Sequence, residues 1–321
     1  MEIKSLAYLG IGSTAPREWL QFGTETLGMM PARAIPGKGW GVLGAPRPLS
    51  EQTGIAADGS VYLKMDERQW RIAVHPHSRN GALLYLGMEL DGPRDFTVAL
   101  QELKDARIEV TLGSDADASE RAVTAIARLR DPAGIPIELF YGQTCDYKFH
   151  PPYLGHEFVA GSLGVGHVNL FLTRQTECFD FYTRILGFRL TDYFRYGSEA
   201  KLQFLRCNRR HHSLAMIDVG GVIGIQHFLV ELADIDAVGR TLDRAKQAGF
   251  NIVGTLGRHR NDAMLSFYMR GPGGFDVEVG CGGKLVDDTW RANEFCEGDV
   301  WGHDGLIDAV QNLAKELVAQ Q

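Results

Sequence analysis

The hydrophobic pattern of this chain switches between a period of two and a period near 3.6, and it does so in the same order twice. Short alternating stretches over 165–172, 201–206, 213–217, 225–232, 264–269 and 275–279 predict strands, because side chains two apart in a strand share a face. Between them Phe179, Tyr182, Ile185 and Leu186 recur at helical spacing, with Gly187 as a stop. Ile235, Val238, Leu242 and Ala245 form a second helical face, opened by Asp234 and closed by Gly249. Several strands follow one another with no helix between them. That predicts an α+β unit with an antiparallel or mixed sheet.

Two copies of this unit run in tandem. DPAGIPIELFYG (131–142) and GPGGFDVEVGCG (271–282) share Pro, Gly and Glu at the same spacing, and LLYLGMEL (83–90) parallels QHFLVEL (226–232). SLAYLGIG (5–12) stands where the stretch from Gly164 stands, and each is followed by an amphipathic segment ending in Leu-Gly. The offset drifts from about 159 residues near the start to 140 near the end, as a duplication with an insertion in one copy produces. We expect an N-terminal domain over 1–143, a second domain over 162–284 and a tail over 285–321. In the tail Leu306, Val310, Leu313, Leu317 and Val318 predict an amphipathic helix that closes the domain or forms a subunit contact. The Gly/Pro-rich run from Pro36 to Ile55 reads as a long loop, and Gln143 to Ser162, with Pro151-Pro152, as a stiff connector.

Composition narrows the function classes. A length of 321 residues suits about two domains. Thirty-three basic against forty acidic residues, a net charge of -7, give no electrostatic footprint for a nucleic acid. No apolar run approaches the ~20 residues of a membrane span, and the N-terminus lacks the pattern of a secretion signal. Five cysteines without a CxxC pair fit reduced thiols in a cytoplasm better than a disulfide framework or a zinc ribbon.

Candidate chemistry concentrates in the second half. His167 and Asn169 share one strand face, His227 and Glu231 another, and Asp276 and Glu278 a third, each opposite apolar residues. Two histidines and one carboxylate on adjacent strands are the ligand set of a non-haem Fe(II) site with open positions, although any single one of these histidines also fits a hydrogen-bonded core. In the first half Tyr8 stands where His167 stands and Tyr85 where His227 stands; only Glu138 matches Glu278. We therefore expect no metal in the first copy.

The stretch GRHRNDAMLSFYMRGPGGFDVEVG (257–280) resembles the signature of the type I extradiol ring-cleaving dioxygenases of the vicinal-oxygen-chelate superfamily. The likeness extends through GVGHVNLF, FYTRILGF, CNRRHHSLAM, IQHFLVEL and the tail VDDTW…WGHD, and so covers the second half; the first half matches in fold and length. This resemblance implies two tandem domains, each of two βαβββ modules in an open barrel-like mixed sheet. It implies His167, His227 and Glu278 as ligands of Fe(II), with Mn(II) the alternative, and His212 as the acid/base. His259 and Tyr268 would flank the substrate hydroxyl, Asn261 would help bind substrate, and Asp262 would orient a catalytic partner. His211 reads as a structural or solvent-exposed neighbour; His75, His77, His150, His156 and His303 lack motif support. The implied reaction opens a catechol beside its two hydroxyls with O2, on a bicyclic or larger ring such as a dihydroxybiphenyl, dihydroxynaphthalene or steroid catechol. Phe194, Leu202, Leu214, Met216 and Ile223 are candidate pocket residues, and equally candidate core. The expected partners are the catechol and O2, with a homo-oligomer as the assembly and neither nucleic acid nor membrane. A metal-dependent isomerase or lyase of the same superfamily, and a non-catalytic small-molecule binder of this fold, are the alternatives.

Overall fold

The computed structural model describes residues 1–32, 53–146, 148–196 and 200–319. The loop expected over 36–55 lies outside the described residues except for its last three. Two compact units emerge, one of 1–154 with 160–165 and one of 155–159 with 166–321.

The first unit holds strands Ser5–Ser13 (β1), Met30–Pro31 (β2), Val61–Lys64 (β3), Ile72–Pro76 (β4), Ala82–Glu89 (β5), Thr111–Leu112 (β6), Ala125–Arg130 (β7) and Pro136–Tyr141 (β8). Helices Pro16–Gln21 (α1), Pro93–Asp105 (α2) and Asp115–Arg121 (α3) interrupt them. The second unit holds His167–Phe171 (β9), Arg189–Tyr196 (β10), Ala200–Arg206 (β11), Leu214–Ile217 (β12), Gly224–Leu232 (β13), Ile252–His259 (β14), Leu265–Arg270 (β15), Asp276–Cys281 (β16), Asn293–Phe295 (β17) and Asp299–Trp301 (β18). Its helices are Gln175–Asp180 (α4), Ile235–Gln247 (α5) and Leu306–Val318 (α6).

Each unit is one open mixed sheet made of two βαβββ modules. The orders are β2-β3-β4-β1-β5-β8-β7-β6 and β17-β10-β11-β12-β9-β13-β16-β15-β14-β18. Within a module the first and last strands pair parallel, β1 with β4 and β13 with β16, while the two modules meet through an antiparallel pair, β1 with β5 and β9 with β13. β9, β13 and β16 are therefore neighbours at the centre of the second sheet. Leu229 pairs with both His167 and Glu278, and His227 with both Asn169 and Asp276, so all these side chains project from one face. In the first unit Tyr8 and Glu138 both pair with Gly87, which places Tyr8, Tyr85 and Glu138 at the matching positions.

Several local expectations need correction. β10 and β14 were not predicted. The RLTDYFRY run of β10 carries too many charged and polar residues to show alternation, and two glycines with register shifts break the period of β14. The helical segment after β9 runs on from α4 into a π turn over Phe181–Ile185. The extra residue in that turn rotates the face, so Phe181 and Tyr182 are buried while Phe179 and Ile185 are only partly so. α5 is capped by Asp234, whose side chain accepts the Ala237 N–H at 2.8 Å, and the chain leaves it through Gly249 at φ 80°. Ile235 is 56% exposed, however, and the buried face is Ala237, Val238, Thr241 and Ala245. The segment after 285 extends both sheet edges: β17 adds to β10, β18 to β14, and α6 packs over β13 and β14. Leu313 is the buried anchor of α6, whereas Val318 is exposed.

Gly166 sets the entry into β9. Its φ is +132°, and a Cβ there would stand 2.0 Å from the carbonyl oxygen of Leu229. That close approach delivers His167 to the centre of the sheet. We expect Gly166→Ala to cost about 2 kcal/mol or more, since both the clash and the backbone conformation oppose a side chain. A urea midpoint equal to the wild type's, at equal slope, would refute this.

Candidate metal centre and active site

Three buried donors converge on the inner face of the second sheet. His167 Nε2 lies 2.9 Å from His227 Nε2, 3.1 Å from Glu278 Oε2, and His227 Nε2 lies 3.3 Å from the same oxygen. Both oxygens of Glu278 are buried without a hydrogen-bond partner of good geometry. Two imidazole nitrogens and a carboxylate facing one another this closely need a shared cation or proton between them. An ion held by N and O donors fits that need and the donor chemistry. The three ligand atoms, one from each residue, all lie within 4.8 Å of one another. Behind His227, Nδ1 hydrogen-bonds to Gln226 Oε1, which also accepts from Asn169 Nδ2 at 3.1 Å. With Nδ1 so engaged, the His227 lone pair at Nε2 faces the other donors.

Electrostatics agree with this arrangement. Burial works against ionisation of Glu278, but contacts with the imidazoles of His167, His227 and His259 prevail and hold its carboxyl well below the usual range. Burial also lowers the His167 pKa, against a smaller opposing pull from Glu278, which favours the neutral imidazole that a metal requires.

Around these donors the other expected residues gather. His212 stacks on His167, with ring centroids 4.0 Å apart, and Phe204 meets its edge at 4.8 Å. Burial first, then the neighbouring His167 and His211, push the His212 pKa well below its ordinary value. His259 Nε2 is 2.7 Å from the Tyr268 hydroxyl and 3.6 Å from Glu278 Oε1. Asn261 and Asp262 follow β14 in a turn completed by Ala263 at φ 61°; Asp262 Oδ2 stands 3.9 Å from His212 Nδ1. All of these except His211 and Ala263 line one cavity of about 140 Å³. Of the residues read as either pocket or core, Phe194 and Leu202 also line it, Leu214 and Met216 are packed in the core, and Ile223 is not part of the wall.

Sequence reasoning missed the contribution of the tail. Asp299 Oδ1 lies 2.7 Å from His259 Nδ1 and equally 2.7 Å from His303 Nδ1, and His303 Nε2 reaches the Ser266 carbonyl at 3.1 Å. Asp299, held by His303 of the WGHD motif, thus braces His259 from behind. Burial alone would lower the His259 pKa; the hydrogen bond with Asp299 and the nearby Glu278 carboxylate reverse this and raise it to about 10. His211 is not solvent-exposed: it is buried, with Nε2 2.7 Å from Asp192 Oδ2.

The first unit fills the equivalent space differently. Tyr8 donates to Glu138 Oε2 at 2.8 Å, and the Arg121 guanidinium from α3 bonds the same oxygen at 3.1 Å while lying 4.3 Å over the Tyr85 ring. An internal cation from the protein itself balances the carboxylate there.

Residues 164–279 match the Glyoxalase/Bleomycin resistance protein/Dioxygenase superfamily. Over 315 residues the chain is 35% identical to an iron-dependent extradiol dioxygenase of Rhodococcus jostii, covering 95% of this chain and 98% of the relative. It is 33% identical over 322 residues to a biphenyl-2,3-diol 1,2-dioxygenase of Paraburkholderia xenovorans, covering 98% of this chain and all of that one (100%). Among solved structures, a halotolerant catechol dioxygenase superposes with a TM-score of 0.84 at 32% identity, over 95% of each chain.

The raised His259 makes a measurable prediction for the metal-free chain. A histidine whose folded pKa lies near 10 contributes stability that is fully present below its ordinary value of about 6.5 and is lost as pH rises through about 10. Asp299→Asn should bring the NMR titration midpoint of His259 down towards its ordinary value and flatten the loss of stability across that window. An unchanged midpoint would remove Asp299 from this role.

Proposed function

The chain belongs to the type I extradiol dioxygenases of the vicinal-oxygen-chelate superfamily, and we propose that it opens a bicyclic or polycyclic catechol beside its two hydroxyls. In this reading His167, His227 and Glu278 hold Fe(II), and O2 is the second substrate. The observation that carries it is the buried convergence of two imidazole nitrogens with a Glu278 carboxylate whose oxygens lack a hydrogen-bond partner of good geometry. Two histidines and one carboxylate suit ferrous iron with open positions, and the Rhodococcus relative is named for its iron; Mn(II) is the second choice. Bound there, the metal would lower the pKa of a catechol hydroxyl and give the ring an electron path to O2.

The protein's own residues then divide the remaining work. His212, kept neutral by burial, takes the proton released by the catechol and returns it when the oxygen–oxygen bond breaks. His259, charged and held by Asp299, donates its Nε2–H to the Tyr268 oxygen. Burial and the Glu278 charge raise the Tyr268 pKa, so its phenol keeps a proton to offer to an oxygen in the cavity. Asn261 lines the cavity beside them as a substrate contact, and Asp262 orients His212 from 3.9 Å.

The walls support an aromatic substrate. About 140 Å³ of space is close to the roughly 150 Å³ apolar cavity that accepts benzene, so one ring fits the interior. Phe194, Leu202 and Phe295 on one side, with Leu306, Ile307 and Val310 of α6 on the other, extend the apolar lining for a second ring. An isomerase or lyase of the same superfamily, or a passive binder, has no use for a His212 and a His259–Tyr268 pair set around the same donors.

The test is oxygen uptake with a panel of mono-, bi- and polycyclic catechols, using protein purified without oxygen and supplied with Fe(II). We expect stoichiometric O2 consumption with a coloured ring-opened product, strongest for two-ring catechols. His212→Ala should retain its metal and slow turnover by roughly 10²-fold or more. Catechol-independent metal binding with no oxygen uptake would contradict the proposal.

A further inference from the structure

A buried pair behind His212 touches neither the metal ligands nor the cavity. Asp192, in β10, is fully buried and uses both carboxylate oxygens. Oδ1 accepts the backbone N–H of Asn293 at 2.8 Å, and Oδ2 lies 2.7 Å from His211 Nε2. The other nitrogen of His211, Nδ1, lies 3.1 Å from His212 Nδ1. Trp290 meets the edge of the His211 ring at 5.7 Å, and Phe204 that of His212 at 4.8 Å, so neither ring is free to turn.

With His211 neutral, these contacts dictate where the protons sit. A carboxylate can only accept, so His211 carries its proton on Nε2. A neutral His211 then has a lone pair on Nδ1, and the 3.1 Å contact becomes a hydrogen bond only if His212 donates from its own Nδ1. His212 Nε2 is left with its lone pair, on a ring that lines the cavity.

We infer that Asp192 and His211 are positioning residues that fix the tautomer of His212 and keep its Nε2 ready to accept a proton from the cavity. The use made of that lone pair rests on the extradiol reading; the tautomer itself follows from hydrogen bonds within the chain. Asp192 also anchors β17 through the Asn293 N–H, so a purely structural role has to be told apart by experiment.

Asp192→Asn separates the two roles without changing shape. The Asn293 N–H holds the amide oxygen at the Oδ1 position, so the amide nitrogen faces His211 Nε2 and can only donate. The chain of donors then reverses: His211 carries its proton on Nδ1, donates to His212 Nδ1, and leaves His212 protonated on Nε2. A carboxylate-to-amide change that misplaces a histidine tautomer costs a serine protease about 10⁴ in kcat. His211→Phe removes the relay but imposes no wrong tautomer.

The experiment combines imidazole ¹⁵N NMR on the full chain without metal and steady-state oxygen uptake on the iron-loaded chain. We expect wild-type His212 to show an unprotonated Nε2 and Asp192→Asn a protonated one. At saturating catechol and O2, kcat should fall by about 10²-fold in Asp192→Asn, with KM within about 3-fold of the wild type, and by less in His211→Phe. The double variant Asp192→Asn/His211→Phe should be no slower than His211→Phe alone, because without His211 the amide has nothing to reverse. Additive losses, or a His212 tautomer identical in wild type and Asp192→Asn, would overturn the inference. If Asp192→Asn fails to fold, the wild-type spectrum alone decides, since a protonated Nε2 there contradicts the relay. If no catechol is turned over by the wild type, the extradiol reading fails while exchanged tautomers still uphold the pair.

Discussion

A buried carboxylate between imidazoles is the constraint on which the second unit is built. Glu278 is fully enclosed, and an isolated charge there would cost several kcal/mol. The sheet answers by placing His227 on the adjacent strand β13 and His167 on β9 one strand further, in a register that sets their ring nitrogens against one carboxylate oxygen. Everything else follows from keeping that cluster in place. Gly166 permits the close approach of β9, Gln226 holds the far nitrogen of His227, and Asp299 braces the His259 that faces Glu278 from the open side.

The first unit shows how the same fold meets the same constraint without such a cluster. Glu138 keeps its place, but the partners become Tyr8, from the strand matching β9, and Arg121, from a helix between β6 and β7. The tyrosine rings need room, and they find it over glycines: a Cβ on Gly87 would fall 2.1 Å from the Tyr8 ring, and one on Gly10 2.2 Å from Tyr85. At the position of Gly87 the second unit has Leu229, and at that of Gly10 it has Asn169. The duplication therefore diverged by trading a polar, open centre for an aromatic, closed one.

Much of this was legible in the chain because the relevant signals are local or duplicated. Period-two alternation puts His167, His227 and Glu278 on defined faces, and comparison of the copies marks two of them as replaced by tyrosine. The residues that stayed hidden act across long sequence distances. Asp192 sits in a strand whose polar run masks its alternation, and its partners His211 and Asn293 are 19 and 101 residues away. Asp299 and His303 lie in a segment read as a tail, because two three-residue edge strands carry too short a pattern to predict. The π turn after α4 was hidden for a related reason: one inserted residue shifts a helical face without leaving a signature in composition.

The most direct test of the account is diffraction from iron-loaded crystals on either side of the iron absorption edge. We expect one anomalous peak per chain, bonded to His167 Nε2, His227 Nε2 and a Glu278 oxygen. A peak beside Glu138 in the first unit, a peak at His211, His212 and Asp262 instead, or no ordered iron at Glu278 would contradict it.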